Sequence, residues 1–214
     1  MQTELGLRER KKRQTREAIT AAAFELFADH GFDGVKVAEV ARRANVSEAT
    51  VFNYFPTKED LVYGRLEELE AALLRAIQER PAGQPISAAF RGFILGQRGL
   101  LGASDPEARE RLATVSRIIA NSPALLARER QVYDRYTRAL AELIREERSV
   151  GPDDVESWAV ANAVFGVHRG LVEYVRRNVL AGRGGPRLAQ AVRAQAERAL
   201  AVLDRGLDGY PDCR

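Results

Sequence analysis

The chain has 214 residues, 45% hydrophobic and 29% charged, and its 33 basic and 30 acidic side chains leave a net charge of +3. That balance suits a globular protein with a sizeable core in one large or two small domains, and it excludes wholesale disorder. The longest strongly apolar uncharged run, residues 157–167, is about half the roughly 20 residues a membrane span needs.

The opening segment is charged rather than apolar, so no secretory signal is expected there. Within residues 8–16, six basic side chains (Arg8, Arg10, Lys11, Lys12, Arg13 and Arg16) face one acid, Glu9. Such a cationic arm suits docking on a polyanion, although a solvated terminus has the same composition. A first helix is predicted from about Arg8 to His30, with Ala18, Ala22, Leu26 and Phe27 on one face and Ile19 and Ala23 widening the stripe. Gly31 can end it in the left-handed conformation, with Phe32 as the apolar cap contact.

A short helix follows from Val37 to Ala44, then the turn Asn45-Val46-Ser47, with Ser47 placed to cap a second short helix from Glu48 to Phe55. Pro56 breaks that helix. Thr57 is expected to cap the next one, Lys58 to about Glu79, which carries Leu61, Leu66, Leu69, Leu73 and Ile77. Residues 81–85, bounded by two prolines, make the best linker. Helical patterns resume at 86–101, 106–121, 123–148, 153–181 and 186–207, most of them opening at a proline or a capping residue. Strand alternation and hairpin signals are missing, so the expected fold is all-α with about nine helices. The expected division is 1–57 and 58–214.

Residues 37–55 have helix-turn-helix spacing, in which the second helix lies in the major groove of DNA. Val46, Val51 and Phe55 can pack that helix on the first. Glu48, Ala49, Thr50, Asn53 and Tyr54 then remain at or near the opposite surface. Asn53 can bond adenine at two points, Thr50 can bond a phosphate or touch a thymine methyl, and Ala49 permits close approach. Tyr54 and Lys58 would hold phosphates, which fixes register without reading sequence. A generic helical hairpin with the same residues facing solvent is the plain alternative.

The stretch Thr15–Leu61 closely resembles the N-terminal domain of tetracycline-repressor (TetR) family regulators. The resemblance rests on Phe27, Gly31-Phe32, Val37-Ala38-Glu39-Val40-Ala41, Ala44-Asn45-Val46-Ser47, Thr50-Val51-Phe52-Asn53-Tyr54-Phe55 and Lys58-Glu59-Asp60-Leu61. It implies a ligand-responsive, sequence-specific DNA-binding regulator, most commonly a homodimeric repressor released from a near-palindromic operator. The DNA-binding set it implies is Arg13, Lys36, Ser47, Glu48, Ala49, Thr50, Asn53, Tyr54 and Lys58, with the arm on flanking phosphates or the minor groove. Three departures stand out. Val35-Lys36 replaces a common Thr-Thr pair, Phe52 replaces a usual tyrosine, and Asn45 replaces a frequent glycine. An activator of the same fold, or a helical adaptor without DNA binding, remains the alternative.

For the second half, the resemblance implies dimerisation through 153–181 and 186–207 and a small-molecule pocket between the connecting helix and the bundle. Candidate wall residues are Leu69, Leu73, Phe93, Ile118, Tyr133, Tyr136, Trp158, Phe165 and His168, with ordinary core or dimer packing the stronger reading for any one of them. Nothing identifies the effector beyond a bias toward apolar or aromatic molecules.

An enzyme is not expected. His30 and His168 are the only histidines and Cys213 the only cysteine, so zinc spacing is missing. A Gly-x-Ser-x-Gly elbow and glycine-rich phosphate loops are missing too. No catalytic residue, metal or cofactor is assigned. The lone cysteine cannot form an internal disulfide, which with the absent signal makes a reducing cytoplasm the expected location.

Overall fold

A computed structural model describes residues 2–96 and 106–206; the side chains of 2–5, 65–67, 69 and 106–109 lie outside the description. Among the described residues there are nine helices and no strand: α1 (Gln2–Gly34), α2 (Val37–Arg43), α3 (Glu48–Tyr54), α4 (Asp60–Gln78), α5 (Ile86–Leu95), α6 (Pro106–Ala120), α7 (Pro123–Arg148), α8 (Val155–Leu180) and α9 (Gly185–Arg205). The all-α expectation holds. Gly31 interrupts α1 at φ 72°, the left-handed region that costs glycine nothing. Phe32 folds back there, its ring 5.1 Å from that of Phe27. The basic arm is the exposed N-terminal part of α1.

Two helix limits differ from the sequence expectation. α4 begins at Asp60 rather than Lys58, because residues 57–61 first make a tighter turn, with the Asp60 amide on the Thr57 carbonyl (3.3 Å) and the Leu61 amide on the Lys58 carbonyl (3.2 Å), while the Asp60 carboxylate reaches back to accept the Thr57 amide at 2.9 Å. α5 stops at Leu95, where Gly96 turns extended (φ −71°, ψ 167°). The expected continuation to 101 lies outside the described residues, as does Cys213.

Packing divides the chain into two units, residues 1–67 with 114–129, and residues 68–113 with 130–214. This division differs from the expected 1–57 and 58–214. In the first unit, Ile19, Ala22, Ala23 and Phe27 of α1 meet Val40 and Ala41 of α2, Val51 of α3, Phe55, Leu61 and Tyr63, joined by Ile118, Ile119 and Leu125. Ala18, expected on the stripe, is exposed. Three polar contacts fasten the segment around residue 122 to this unit. Ser122 Oγ donates to Asp33 at 3.1 Å, Tyr63 Oη donates to the Leu125 carbonyl at 3.1 Å, and Arg128 pairs with Asp60 at 2.7 Å.

The second unit is built on Leu73 and Ile77 of α4, Phe90 and Ile94 of α5, Tyr133, Leu140 and Ile144 of α7, Ala161, Val164, Phe165 and Leu171 of α8, and Ala196 and Leu200 of α9. Arg80 closes the α4 terminus, donating to the Ile77 carbonyl (2.7 Å) while paired with Glu147 (2.6 Å). Asp154 caps α8 by accepting the Ser157 amide at 2.9 Å.

Candidate nucleic-acid interface

The turn between α2 and α3 is set by local chemistry. The Glu39 carboxylate reaches back to the Lys36 amide (2.7 Å), so α2 is capped although Lys36 has no hydroxyl. At the other end, Val46 N–H bonds the Ala41 carbonyl and Asn45 N–H bonds the Arg42 carbonyl, with Asn45 left-handed at φ 55°. Those two bonds make a Schellman motif with asparagine in the glycine position. Ser47 then caps α3, its Oγ accepting the Thr50 amide at 3.0 Å and lying 2.8 Å from the Thr50 hydroxyl.

This geometry buries Val51 and Phe55 and leaves one arc of α3 in solvent: Glu48, Ala49, Phe52 and Asn53. Asn53, the expected base reader, and Glu48 are both exposed. Thr50 and Tyr54 are half-buried at the flank, and Lys36 and Arg13 are exposed. Arg13 lies 3.8 Å from Glu17 across one helical turn, a pair solvent renders weak.

Lys58 has an additional contact. Its ammonium donates to the Phe32 carbonyl at 2.6 Å and sits over the Phe32 ring, 4.3 Å from the centroid. Partial burial lowers its pKa, while Asp33, Glu59 and Glu39 act in the opposite direction. The proposed phosphate ligand is therefore also an internal tie. Arg16 has a similar part. Its guanidinium covers the Phe55 ring at 4.7 Å and donates to the Tyr54 carbonyl at 3.4 Å, holding the last turn of α3. Gly64 makes room for it, since a Cβ there would lie 3.0 Å from Arg16 Nη2 and 3.3 Å from Phe55. Sequence reasoning missed this contact, and the inward glycine at 64 was its one local sign.

The sequence candidates for a ligand wall separate. Leu73, Tyr133, Phe165 and His168 share the buried core of the second unit, with Phe93 and Tyr136 packed against it. Ile118 does not join them; it belongs to the first unit's core, because 114–129 packs there. Trp158 is 41% exposed, just off the arc of α8 that Ser157, Ala161 and Phe165 bury. The side chain of Leu69 lies outside the description. His168 is 3% exposed, edge-on to Tyr133 (5.9 Å) and Phe165 (6.3 Å). Its Nδ1 is buried with no hydrogen-bond partner among the described residues, and burial pushes its pKa down to about 4.

The apolar stripe of α9 is consumed inside the protomer, where Val192, Ala196 and Leu200 are buried. What remains outward between α8 and α9 is an open groove of about 660 Å³ lined by Ala163, Gly166, Val167, Gly170, Ala199 and Val202 among others. Ala163, Gly166, Gly170 and Ala199 give it a small-residue stretch, and Tyr174, Arg177, Gln195 and Leu203 also line it.

Residues 19–63 match the family model of bacterial regulatory proteins of the tetR family, and residues 84–203 match the MftR C-terminal domain. Together these matches cover more than half of the chain. The protein belongs to the TetR family. This TetR-family chain is 32% identical over 154 residues to the HTH-type transcriptional regulator TcmR of Streptomyces glaucescens, covering 70% of this chain and 67% of that protein. It is 25% identical over 170 residues to the nucleoid occlusion factor SlmA of Pasteurella multocida (78% and 85% covered). Its fold matches that of the fatty acid degradation regulator FadR of Bacillus halodurans with a TM-score of 0.51 at 18% identity (89% and 98% covered). As a TetR-family member the chain is a helix-turn-helix DNA-binding transcriptional regulator. Among the described residues no helix is long and apolar enough to cross a membrane.

Proposed function

We propose that the chain is a homodimeric repressor that leaves a near-palindromic operator when a small molecule enters the core of its second unit. The observation that carries this reading is the exposed arc of α3, Glu48, Ala49, Phe52 and Asn53, presented by a helix capped at Ser47 and held at its far end by Arg16. Asn53 reads a base, and Lys36, Tyr54, Lys58 and the arm from Arg8 to Arg13 hold phosphates.

One seven-residue helix touches too few bases for useful affinity. Two copies spaced by a helical turn of DNA, about 34–36 Å, double the contacts and require a palindromic site. The small-residue groove between α8 and α9 supports pairing with a second copy, since close helix approach there would bury Val167 and Val202. The effector's place is supported by the buried nitrogen of His168 among Tyr133, Phe165 and Leu73, unpartnered among the described residues. An uncharged, largely apolar molecule suits a neutral imidazole in that setting. Such a ligand would act by binding one arrangement of the bundle better than the other.

Selection of bound DNA from a random duplex pool, followed by a salt titration and sedimentation of the complex, tests this reading. A near-palindrome bound by two copies with a steep salt slope is the expected result. A monomer on an asymmetric site would overturn the dimer, and no enrichment from the folded protein would overturn sequence-specific binding.

A further inference from the structure

Of the large apolar side chains left exposed among the described residues, Phe52 is the one carried by the recognition helix, and it is 45% exposed. It lies on the arc with Ala49, one turn back, and Asn53, its neighbour, while Val51 and Phe55 occupy the buried side. A phenyl ring has no hydrogen-bond donor, so it cannot hold a phosphate as a tyrosine hydroxyl would. Nearly half of the side chain faces water, and it belongs to neither core. Against DNA it has one apolar partner, because the thymine 5-methyl is the apolar group that the major groove displays.

We infer that Phe52 is a base-reading residue whose ring packs on a thymine methyl in the major groove. Ala49 keeps the approach open in front of the ring. Asn53, next along the helix, is suited to adenine, whose paired thymine shows its methyl in the same groove. The thymine read by Phe52 therefore falls in the base pair read by Asn53 or in the one beside it. The inference rests on sequence-specific DNA binding and adds an apolar element to its readout. The position specifies sequence here rather than register.

The test uses the full-length protein and the duplex it selects. Each thymine of both half-sites is replaced in turn by deoxyuridine, which removes only the methyl. Wild type should bind about four-fold more weakly for each half-site altered at one particular thymine, the effect of a single methyl losing its contact. Phe52→Ala should bind the thymine and deoxyuridine duplexes equally, with little change in melting temperature because the ring lies outside the core. Phe52→Tyr keeps the ring and should keep the discrimination. If no thymine is sensitive, or Phe52→Ala discriminates as wild type does, the inference fails while DNA binding stands. Failure to enrich any duplex would instead overturn the DNA-binding reading on which it depends.

Discussion

The Lys58 ammonium donates to the Phe32 carbonyl at 2.6 Å, tying the segment that leads into α4 to the residue just beyond the Gly31 break in α1. The carbonyl lies in the last turn of α1, where it also accepts the Val35 amide at 3.4 Å. An ammonium has three protons and this contact uses one, so the same group can hold the domain together and meet a phosphate. Lys58→Ala should then have two separable effects. Stability should fall by about 1 kcal/mol, since the charged hydrogen bond is only partly shielded from water, as measured by urea unfolding. The salt slope of operator binding should fall by about one, with equal losses on specific and random duplexes. A stability loss with an unchanged slope would leave Lys58 as an internal tie alone.

Asn53 has the opposite profile. It is exposed on α3 and supports no core packing, so Asn53→Ala should leave the unfolding midpoint where it is. Operator binding should weaken by about 1–3 kcal/mol and one operator position should relax. Equal losses on operator and random DNA, measured by competition, would remove Asn53 from base reading.

Arg16 separates holding the reader from touching DNA. Its guanidinium covers Phe55 and bonds the Tyr54 carbonyl, so Arg16→Ala frees the last turn of α3. A stacked cation at a half-buried site contributes about 1 kcal/mol, and thermal unfolding should show a loss of that order. The loss of operator affinity should exceed the loss on random DNA, because a loosened α3 reads bases poorly while the arm still binds phosphate. Gly64→Ala should reproduce much of this, since the added Cβ would press on both Arg16 and Phe55.

How much of this was legible in the residues depended on range. Ser47 as a cap, Asn45 as a left-handed turn residue and Gly31 as a break are decisions within a few residues, and the chain carries them in residue type. The buried face of α1 was legible from spacing, apart from Ala18. The contacts that fasten the first unit were not: Arg16 with Phe55, Lys58 with Phe32 and Arg128 with Asp60 join residues 26 or more apart in the chain. No periodicity pairs such positions. Ile118 shows the same limit, because helical spacing says which face of α6 is apolar and nothing about which unit that face meets. Trp158 lies at the edge of the buried arc of α8, where a small rotation decides exposure, which helical spacing does not resolve.

The pair Arg128–Asp60 has side chains only 21% and 11% exposed, and Asp60 also caps the Thr57 amide. Removing the arginine would strand a shielded carboxylate at the start of α4. Arg128→Ala should cost about 2–3 kcal/mol, below the 3–5 kcal/mol of a fully buried pair because some water reaches both groups. Asp60→Asn in the Arg128→Ala background should recover part of that loss, as it removes the stranded charge and keeps an acceptor for Thr57. A double variant no more stable than Arg128→Ala, measured by urea unfolding, would count against an electrostatic role.

His168 makes stability depend on pH with a sign fixed by its burial. Its folded-state pKa is about 4, below the ordinary 6.5, because a charged imidazole between Tyr133 and Phe165 would lose its hydration. Between those pH values the unfolded chain binds a proton that the folded chain refuses. The contribution of His168 is therefore fully present above about pH 6.5 and is lost as pH falls toward 4, by up to about 3 kcal/mol in all. His168→Phe removes the titrating group and should flatten this part of the profile relative to wild type, whatever the carboxylates add below it. Urea unfolding of both proteins at pH 7.5, 6 and 5 measures the difference. Parallel curves would mean that His168 takes up its proton in the folded state as readily as in the unfolded chain, with a partner or water reaching Nδ1. An effector that hydrogen-bonds Nδ1 should also bind more weakly in His168→Phe, even where the stabilities of the two proteins coincide at pH 7.5.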